Sequence, residues 1–341
     1  MNVLITGGAG YIGSHTVLAL IEAGHTPIIL DDLSGGTDTP LWLERVYVSD
    51  FAQKDVLNQI HDSHKIDGVI HFAGKIQVGE SMKNPDLYYH HNVAKTMVLL
   101  DWMVERNIRR FVFSSSAAVY GDHCTDGQPI PETAAMRPTS PYGRSKAAIE
   151  TLVLGSKDLD PVCLRYFNAS GADAELRTGE NHFPETHLIP LAIQAAINNS
   201  VFNVFGHSLK STPDGSCVRD FVHVTDLADA HVKALEMSFD GRSKSFNLGS
   251  GTGYSVFQVL DQIEKEHGSG PRISLKPSRP GDPPFLVADP SRARVELGWE
   301  PKFSDLKTII KTAYSWEQKK IQDRFLKSSS GRLLEVPIPK L

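Results

Sequence analysis

Thr6-Gly7-Gly8-Ala9-Gly10-Tyr11-Ile12-Gly13 stands between an apolar run, Val3-Leu4-Ile5, and a stretch of helical character that stops at Gly24. Glycines at such a junction (Gly7, Gly10 and Gly13) allow a tight turn and let backbone N–H groups at the helix N-terminus approach a pyrophosphate. The glycine pattern alone is weak, because strand-to-helix turns use glycine without any ligand. Its context is stronger. A second apolar run ends in Asp31-Asp32, 18 residues past Gly13. An acidic side chain at that point hydrogen-bonds the 2′-hydroxyl of an adenine ribose and repels a 2′-phosphate. The next basic residue is Arg45, so NAD is favoured over NADP as cofactor. Asp32 reads equally well as a solvated turn residue.

Working outward, residues 3–6, 27–30, 46–48, 68–72, 111–114 and 162–166 read as strands rich in Val, Ile and Phe, with helical stretches between them, notably 11–23 and 87–105. That alternation predicts an α/β fold, a Rossmann-like doubly wound parallel sheet. Beyond Asn168 the texture changes to Gly, Pro and polar clusters, which predicts a smaller α/β substrate-binding region. The expected division is residues 1–167 plus about 222–254 for the cofactor domain, and about 168–221 plus 255–320 for the substrate domain. Residues 321–341 read as a tail, disordered or a frayed remnant.

The 341 residues carry 35 Lys and Arg against 40 Asp and Glu, a formal charge of −5, without a basic stripe. Nucleic acid and anionic membrane are therefore not expected as partners. Three cysteines, without CxxC spacing, argue against a disulfide framework and against a structural zinc site, and no metal is expected. With no long apolar run and no leader-like start, a cytoplasmic protein is expected.

A second chemical signal is Tyr142-Gly143-Arg144-Ser145-Lys146, which puts a phenol and an ammonium four apart on one helix face. Ser116 closes the fifth predicted strand 26 residues earlier, at the carboxyl edge where such sheets bind ligands. A phenol with a pKa near 10 is a poor base at neutral pH. A neighbouring ammonium and a cationic nicotinamide favour its phenolate, while a serine hydroxyl can hold the reacting oxygen. A surface Tyr packed over a Lys stem is the plainer reading of the same spacing.

These motifs resemble the extended short-chain dehydrogenase/reductase family and, within it, the UDP-glucose 4-epimerases, over roughly residues 1–318. The likeness includes Val69-Ile70-His71-Phe72-Ala73-Gly74, Ser114-Ser115-Ser116-Ala117, Leu164-Arg165-Tyr166-Phe167-Asn168, Val218-Arg219-Asp220-Phe221-Val222-His223, Arg279-Pro280-Gly281-Asp282 and Leu297-Gly298-Trp299. The resemblance implies NAD along Tyr11, Ile12, Asp31, Asp50, Phe51, Phe72, Ala73, Gly74 and Asn92, with Phe167 near the nicotinamide. It implies Ser116, Tyr142 and Lys146 as catalytic residues. It implies UDP-sugar contacts from Asn168, His187, Leu188, Phe205, Arg219, Arg279, Asp282 and Leu286. Two arginines suit a pyrophosphate, since the guanidinium fork matches phosphate oxygens. The sequence departs from the family pattern at Ile76, where a basic residue is frequent and the lysine is instead Lys75, and at Ala118, where Thr is usual.

The implied activity is interconversion of UDP-glucose and UDP-galactose, by oxidation at C4, rotation of the 4-keto sugar and re-reduction from the other face. Epimerisation of UDP-N-acetylglucosamine is the nearest alternative. A nucleotide-sugar 4,6-dehydratase needs an acid and a base beside the site, yet Ala117-Ala118 follow Ser116. A non-catalytic NAD-sensing protein would lose the Tyr or the Lys, and both are present. The resemblance also implies a homodimer through the helix around residues 90–105 and the one after Tyr142. Leu286 falls where a sugar-pocket gate is expected, although a leucine there also reads as plain core.

Overall fold

Leu4 faces one side of the first strand while Val3 and Ile5 face the other, and all three are fully buried. The same alternation recurs in the neighbouring strands: Ile29 against Ile28 and Leu30, Ile70 against Val69, and Val112 against Phe111 and Phe113. Strands apolar on both faces need a layer of helices on each side, and only crossover connections supply that. The computed structural model describes residues 1–35, 46–121, 127–182, 184–238, 244–279 and 283–330, with side chains as far as Asp323.

The sheet contains β1 (Asn2–Thr6), β2 (Thr26–Asp31), β3 (Val46–Val48), β4 (Gly68–His71), β5 (Arg110–Ser116), β6 (Asp160–Tyr166) and, after three strands of a second unit, β10 (Lys244–Leu248). Their order is β10-β6-β5-β4-β1-β2-β3, and every pairing is parallel. One face is covered by α1 (Tyr11–Glu22) and α8 (Val224–Glu236), the other by α2 (Lys54–His64), α5 (Lys95–Glu105) and α6 (Pro141–Leu154). This is the doubly wound fold expected. The connection direction reverses between β1 and β4, which opens a crevice at their carboxyl ends.

The expected helix over 87–105 is three pieces in one run: α4 (Pro85–Tyr88, after the short α3 at Val78–Lys83), a π-helical turn (Tyr89–Ala94) and α5. An inserted residue of this kind bulges the helix and redirects one side chain, here Asn92.

The second unit begins with β7 (Asn168–Ser170), α7 (Leu188–Ile197), β8 (Val201–Phe205) and β9 (Val218–His223). It continues after β10 with β11 (Gly253–Ser255), α9 (Val256–His267), β12 (Arg272–Lys276) and β13 (Phe285–Leu286). Strand β9 pairs with β7, β11 and β13, whereas β8 and β12 pair only with each other. The core of this unit lies among Ile193, Val259, Ile263, Ile309 and Ile310. Helix α10 (Ser291–Glu296) and Trp299 pack instead beneath the large sheet, so the stretch 255–320 lends Ala293, Leu297 and Trp299 to the other core. Helix α11 runs Leu306–Ser330, into the segment expected as a tail. Cys163 and Cys217 are buried, and Cys124 lies outside the described residues. Among the described residues no helix is long and apolar enough to cross a membrane.

An ion pair is sealed between α6 and β6. Glu150 is 0% exposed and Arg165 4%. The Arg165 Nε donates to both Glu150 oxygens at 3.0 and 2.9 Å, its Nη1 donates to the Tyr120 hydroxyl at 2.9 Å, and Tyr120 donates to Asn247 Oδ1 at 2.7 Å. Ser115 also donates to Glu150. Removing one partner leaves the other charge buried and uncompensated. Arg165→Met is therefore expected to lower unfolding free energy by about 3–5 kcal/mol, read as a lower urea midpoint; a midpoint equal to that of the parent would show that the pair carries no such weight.

Candidate active site

At the crevice the backbone is crowded enough to dictate residue type. A Cβ on Gly7 would come 2.6 Å from the Ala73 nitrogen, and one on Gly13 would come 2.3 Å from the Gly7 carbonyl. Gly7 also holds φ +72°. Side chains are therefore excluded where the loop presses β4 and the first turn of α1. The amides of that turn lie at the positive end of the helix dipole, a cradle suited to a pyrophosphate.

Asp31 ends β2 beside this loop. Its Oδ2 accepts from Ala9 N and its Oδ1 from Leu33 N, both at 2.9 Å. Burial pushes its carboxyl up, against the pull of those two bonds. Each oxygen keeps a lone pair for a ribose hydroxyl. Asp32 is exposed and accepts from Ser34 N, the geometry of a turn residue. Phe51 and Ala73 pack on the α2–α5 face of the sheet, with Phe51 edge-on to His71, whereas Phe72 packs on the other face against His231 of α8. Asp50 pairs with Lys95, whose ammonium holds the carboxyl low in spite of burial.

Asn92, placed by the π turn, clamps the loop after β4. Its Oδ1 accepts from Lys75 N at 2.8 Å, and its Nδ2 donates to Lys75 O at 3.0 Å and to Ser145 Oγ at 3.1 Å. Gly74, at φ +156°, leaves room for it. This clamp fixes the Lys75 backbone, while Ile76 is 40% exposed. Tyr11 gives its hydroxyl to Gly171 O at 2.6 Å, which leaves its backbone amide as the group facing the cradle.

The catalytic candidates converge at the end of β5. Ser116 Oγ accepts from Ala118 N at 3.2 Å and starts a 3₁₀ turn over Ala117–Val119. Ser140 caps α6 by accepting from Gly143 N at 3.1 Å, and Pro141 takes the first helical position. A Cβ on Gly143 would lie 2.5 Å from the Ala118 carbonyl, so glycine lets the helix start press onto that turn. The approach brings the Tyr142 phenol beside the Ser116 hydroxyl. Burial raises the Tyr142 pKa and the neighbouring Ser116 hydroxyl draws it back. One helical turn on, Lys146 Nζ donates to Ser114 O at 2.7 Å and sits 4.9 Å from the centre of the Phe113 ring. Burial lowers its pKa to about 8, with Glu150 opposing. The surface reading of this Tyr and Lys fails, since Lys146 is 4% exposed. Ser114, Ser145 and Tyr88 escaped the sequence reading although they shape the site; Tyr88 stands edge-on to Tyr142 with ring centres 6.4 Å apart. The only sequence trace of Ser114 was the serine run.

Across the crevice lie the residues expected to meet the nucleotide and sugar. Asn168 Nδ2 donates to Asp220 O at 2.7 Å. Arg219 stands in register with Leu286 on β13 and donates to Val218 O at 2.8 Å. Arg279 stacks on Phe205, its guanidinium carbon 3.9 Å from the ring centre, which joins two candidates far apart in sequence. Leu286 packs with Val119, Tyr120 and Phe167 beside the catalytic turn. Leu188 opens α7, and His187 caps it with its Nδ1 turned toward Glu180 and Glu185. Those carboxylates raise the His187 pKa to about 10 although burial acts the other way. Asp282 lies outside the described residues.

Residues 3–249 match the NAD dependent epimerase/dehydratase family. The chain is 45% identical over 323 residues to a UDP-glucose 4-epimerase of Halalkalibacterium halodurans, covering 93% of this chain and 96% of that one. It is similar to the crystal structure of UDP-glucose 4-epimerase from Brucella ovis in complex with NAD, at TM-score 0.86 and 41% identity over 92% of this chain and 97% of the other. It also resembles the Stenotrophomonas maltophila UDP-glucose-4-epimerase with bound NAD and formylated UDP-arabinopyranose, at TM-score 0.88 and 37% identity over 95% and 99%.

Proposed function

The chain belongs to the NAD-dependent epimerase/dehydratase family, and on that premise we propose that it interconverts UDP-glucose and UDP-galactose by epimerisation at C4. The observation that carries this reading is the Tyr142 phenol beside Ser116 with Lys146 buried one turn away, at the carboxyl ends of a parallel sheet. Gly7, Gly10, Tyr11, Ile12 and Gly13 would cradle the NAD pyrophosphate, and Asp31 its adenine ribose. When bound, NAD accepts a hydride from the sugar and gives it back, and its cationic ring favours a phenolate nearby.

The chain's own residues handle the proton. Tyr142 takes the proton of the C4 hydroxyl and later returns one to the same oxygen, whichever face the sugar presents. Ser116 holds that oxygen, and Lys146 stabilises the phenolate. Asn168, Arg219, Arg279 and Phe205 anchor the UDP, which leaves the sugar free to turn. Ala117 and Ala118 offer no acid or base for eliminating water, so dehydration is disfavoured. The test is incubation with UDP-galactose without added NAD, followed by chromatography. UDP-glucose without accumulating NADH supports the reading; a keto-deoxy product, or binding without turnover, overturns it.

Tyr142→Phe and Lys146→Met should each cut kcat by roughly 10²–10⁴-fold while UDP affinity, followed by calorimetry, stays near that of the parent. Near-parent turnover by purified, NAD-loaded Tyr142→Phe would sink the assignment.

Leu286, packed against Phe167 and Val119, is proposed as the gate of the sugar pocket. Leucine relieves part of the volume a tyrosine would fill but offers no hydrogen bond to an acetamide. Efficient turnover of the plain hexoses is expected, with weak epimerisation of UDP-N-acetylglucosamine. Leu286→Tyr should suppress the second activity selectively and Leu286→Ala should raise it, each on the order of tenfold in kcat/KM. An unchanged ratio between the two sugar classes would remove Leu286 from the gate.

A cytoplasmic homodimer completes the reading, and the buried free thiol of Cys163 fits a reducing compartment. Tyr89, Met97 and Val104 on the α4–α5 run and Leu152 on α6 are 38–46% exposed, an apolar surface that a second copy would cover. Light scattering at micromolar concentration should return twice the chain mass; a monomer mass would dismiss the dimer.

A further inference from the structure

Loop 180–187, away from the catalytic trio, gathers four donor side chains. Glu180, His182, Glu185 and His187 each turn one ligand-type atom inward, and these atoms all lie within 4.8 Å of one another. His187 Nδ1 is 2.7 Å from Glu180 Oε1 and 2.8 Å from Glu185 Oε1, while His182 Nδ1 is 3.1 Å from the same Glu180 oxygen. Hydrogen bonding serves this arrangement badly. A single Nδ1–H has to be divided between two carboxylates. Glu185 Oε2 is buried with no hydrogen-bond partner, in a side chain only 7% exposed.

The charges are equally unbalanced. Glu180 and Glu185 are both 7% exposed, and their ion-pair partners among the described residues are these two imidazoles. The nearby Lys320 gives its ammonium to the Glu180 backbone carbonyl and to Glu317. Buried carboxylates are costly without positive charge beside them, and imidazoles supply it only while protonated.

We propose that Glu180, His182, Glu185 and His187 form a structural site for one divalent metal ion of the zinc class. Two imidazole nitrogens and two carboxylate oxygens are a zinc-type donor set, whereas calcium and magnesium require six or more oxygens. Zinc bonds of about 2.1 Å put tetrahedral donors about 3.4 Å apart, inside the range spanned here. Four protein donors close the coordination sphere, which makes the site structural. Its surroundings give it something to hold. Trp316 Nε1 donates to Glu180 O at 3.0 Å from α11, the His182 ring meets Tyr11 of α1 edge-on at 6.4 Å, and His187 caps α7. The ion would thus tie helices of both units together.

The test uses the NAD-loaded enzyme stripped with a chelator, dialysed against Zn²⁺ and analysed by mass spectrometry for metal. About one ion per chain and a raised Tm are expected, and Co²⁺ in its place should give a visible absorption band that Zn²⁺ abolishes. His182→Ala combined with Glu185→Gln should lose both the ion and the band. Failure of the unsubstituted protein to retain zinc or to develop the cobalt band would overturn the proposal, whether or not the variant folds. Equal retention by the folded double variant would overturn it as well.

Discussion

Glu150 is a carboxylate in a fully buried place, and much of the catalytic half is arranged around keeping it there. It lies on α6, but its hydrogen bonds come from Arg165 on β6 and Ser115 on β5. Through Arg165 the chain of bonds continues to Tyr120, to Asn247 on β10 and from there to the Ile130 carbonyl. The pair thereby couples the helix that carries Tyr142 and Lys146 to the strand that ends in Ser116. A buried pair of this kind adds little net stability over a hydrophobic replacement, but it tolerates few alternative geometries. Its value here lies in register: a slip of α6 by one residue would break every bond at once.

Two glycine contacts work in the same direction from the outside. Gly143 lets α6 close onto the Ala118 carbonyl, and Gly7 lets the first loop close onto Ala73. Both approaches are backbone to backbone, so they set the separation of elements rather than of flexible side chains. The proposed cofactor cradle and the proposed catalytic trio therefore sit on parts of the fold that cannot drift apart without losing buried contacts.

The large sheet was legible because its strands are buried on both faces, which makes Val3 to Ile5 or Val69 to Ile70 continuous apolar runs. The glycine loop and the Tyr142/Lys146 spacing were legible because they are local. What escaped was made by tertiary contact. Glu150 and Arg165 are ordinary charged residues in sequence, and nothing marks them as partners. The π turn at Tyr89–Ala94 has no periodicity to distinguish it from a helix, so the role of Asn92 as a clamp on Lys75 was hidden. Strands β8 and β12 pair only with each other, and β12 is largely exposed, which erases the apolar signal. The pairing of Arg279 with Phe205 depended on that same invisible sheet. The four donors of loop 180–187 are spaced without a standard ligand pattern, and their convergence is a property of the loop's path alone.

The division of labour between the two buried cations bears on how the Tyr142 phenol would serve as a base in the proposed reaction. Arg165 engages both oxygens of Glu150, so that carboxylate is already matched. Lys146, one turn away, is left with a backbone carbonyl and the face of Phe113, neither of which carries full negative charge. Burial lowers its pKa to about 8, and Glu150 offsets this only in part. The cheapest way for the site to recover is to create an anion close by, and Tyr142, four residues back on the same helix face, is the ionisable group there not already matched by Arg165. Were Glu150 free to turn to Lys146, the ammonium would be satisfied in advance and the phenolate would gain nothing from it. Sequestering the carboxylate with an arginine is thus what leaves the lysine's charge available to the chemistry.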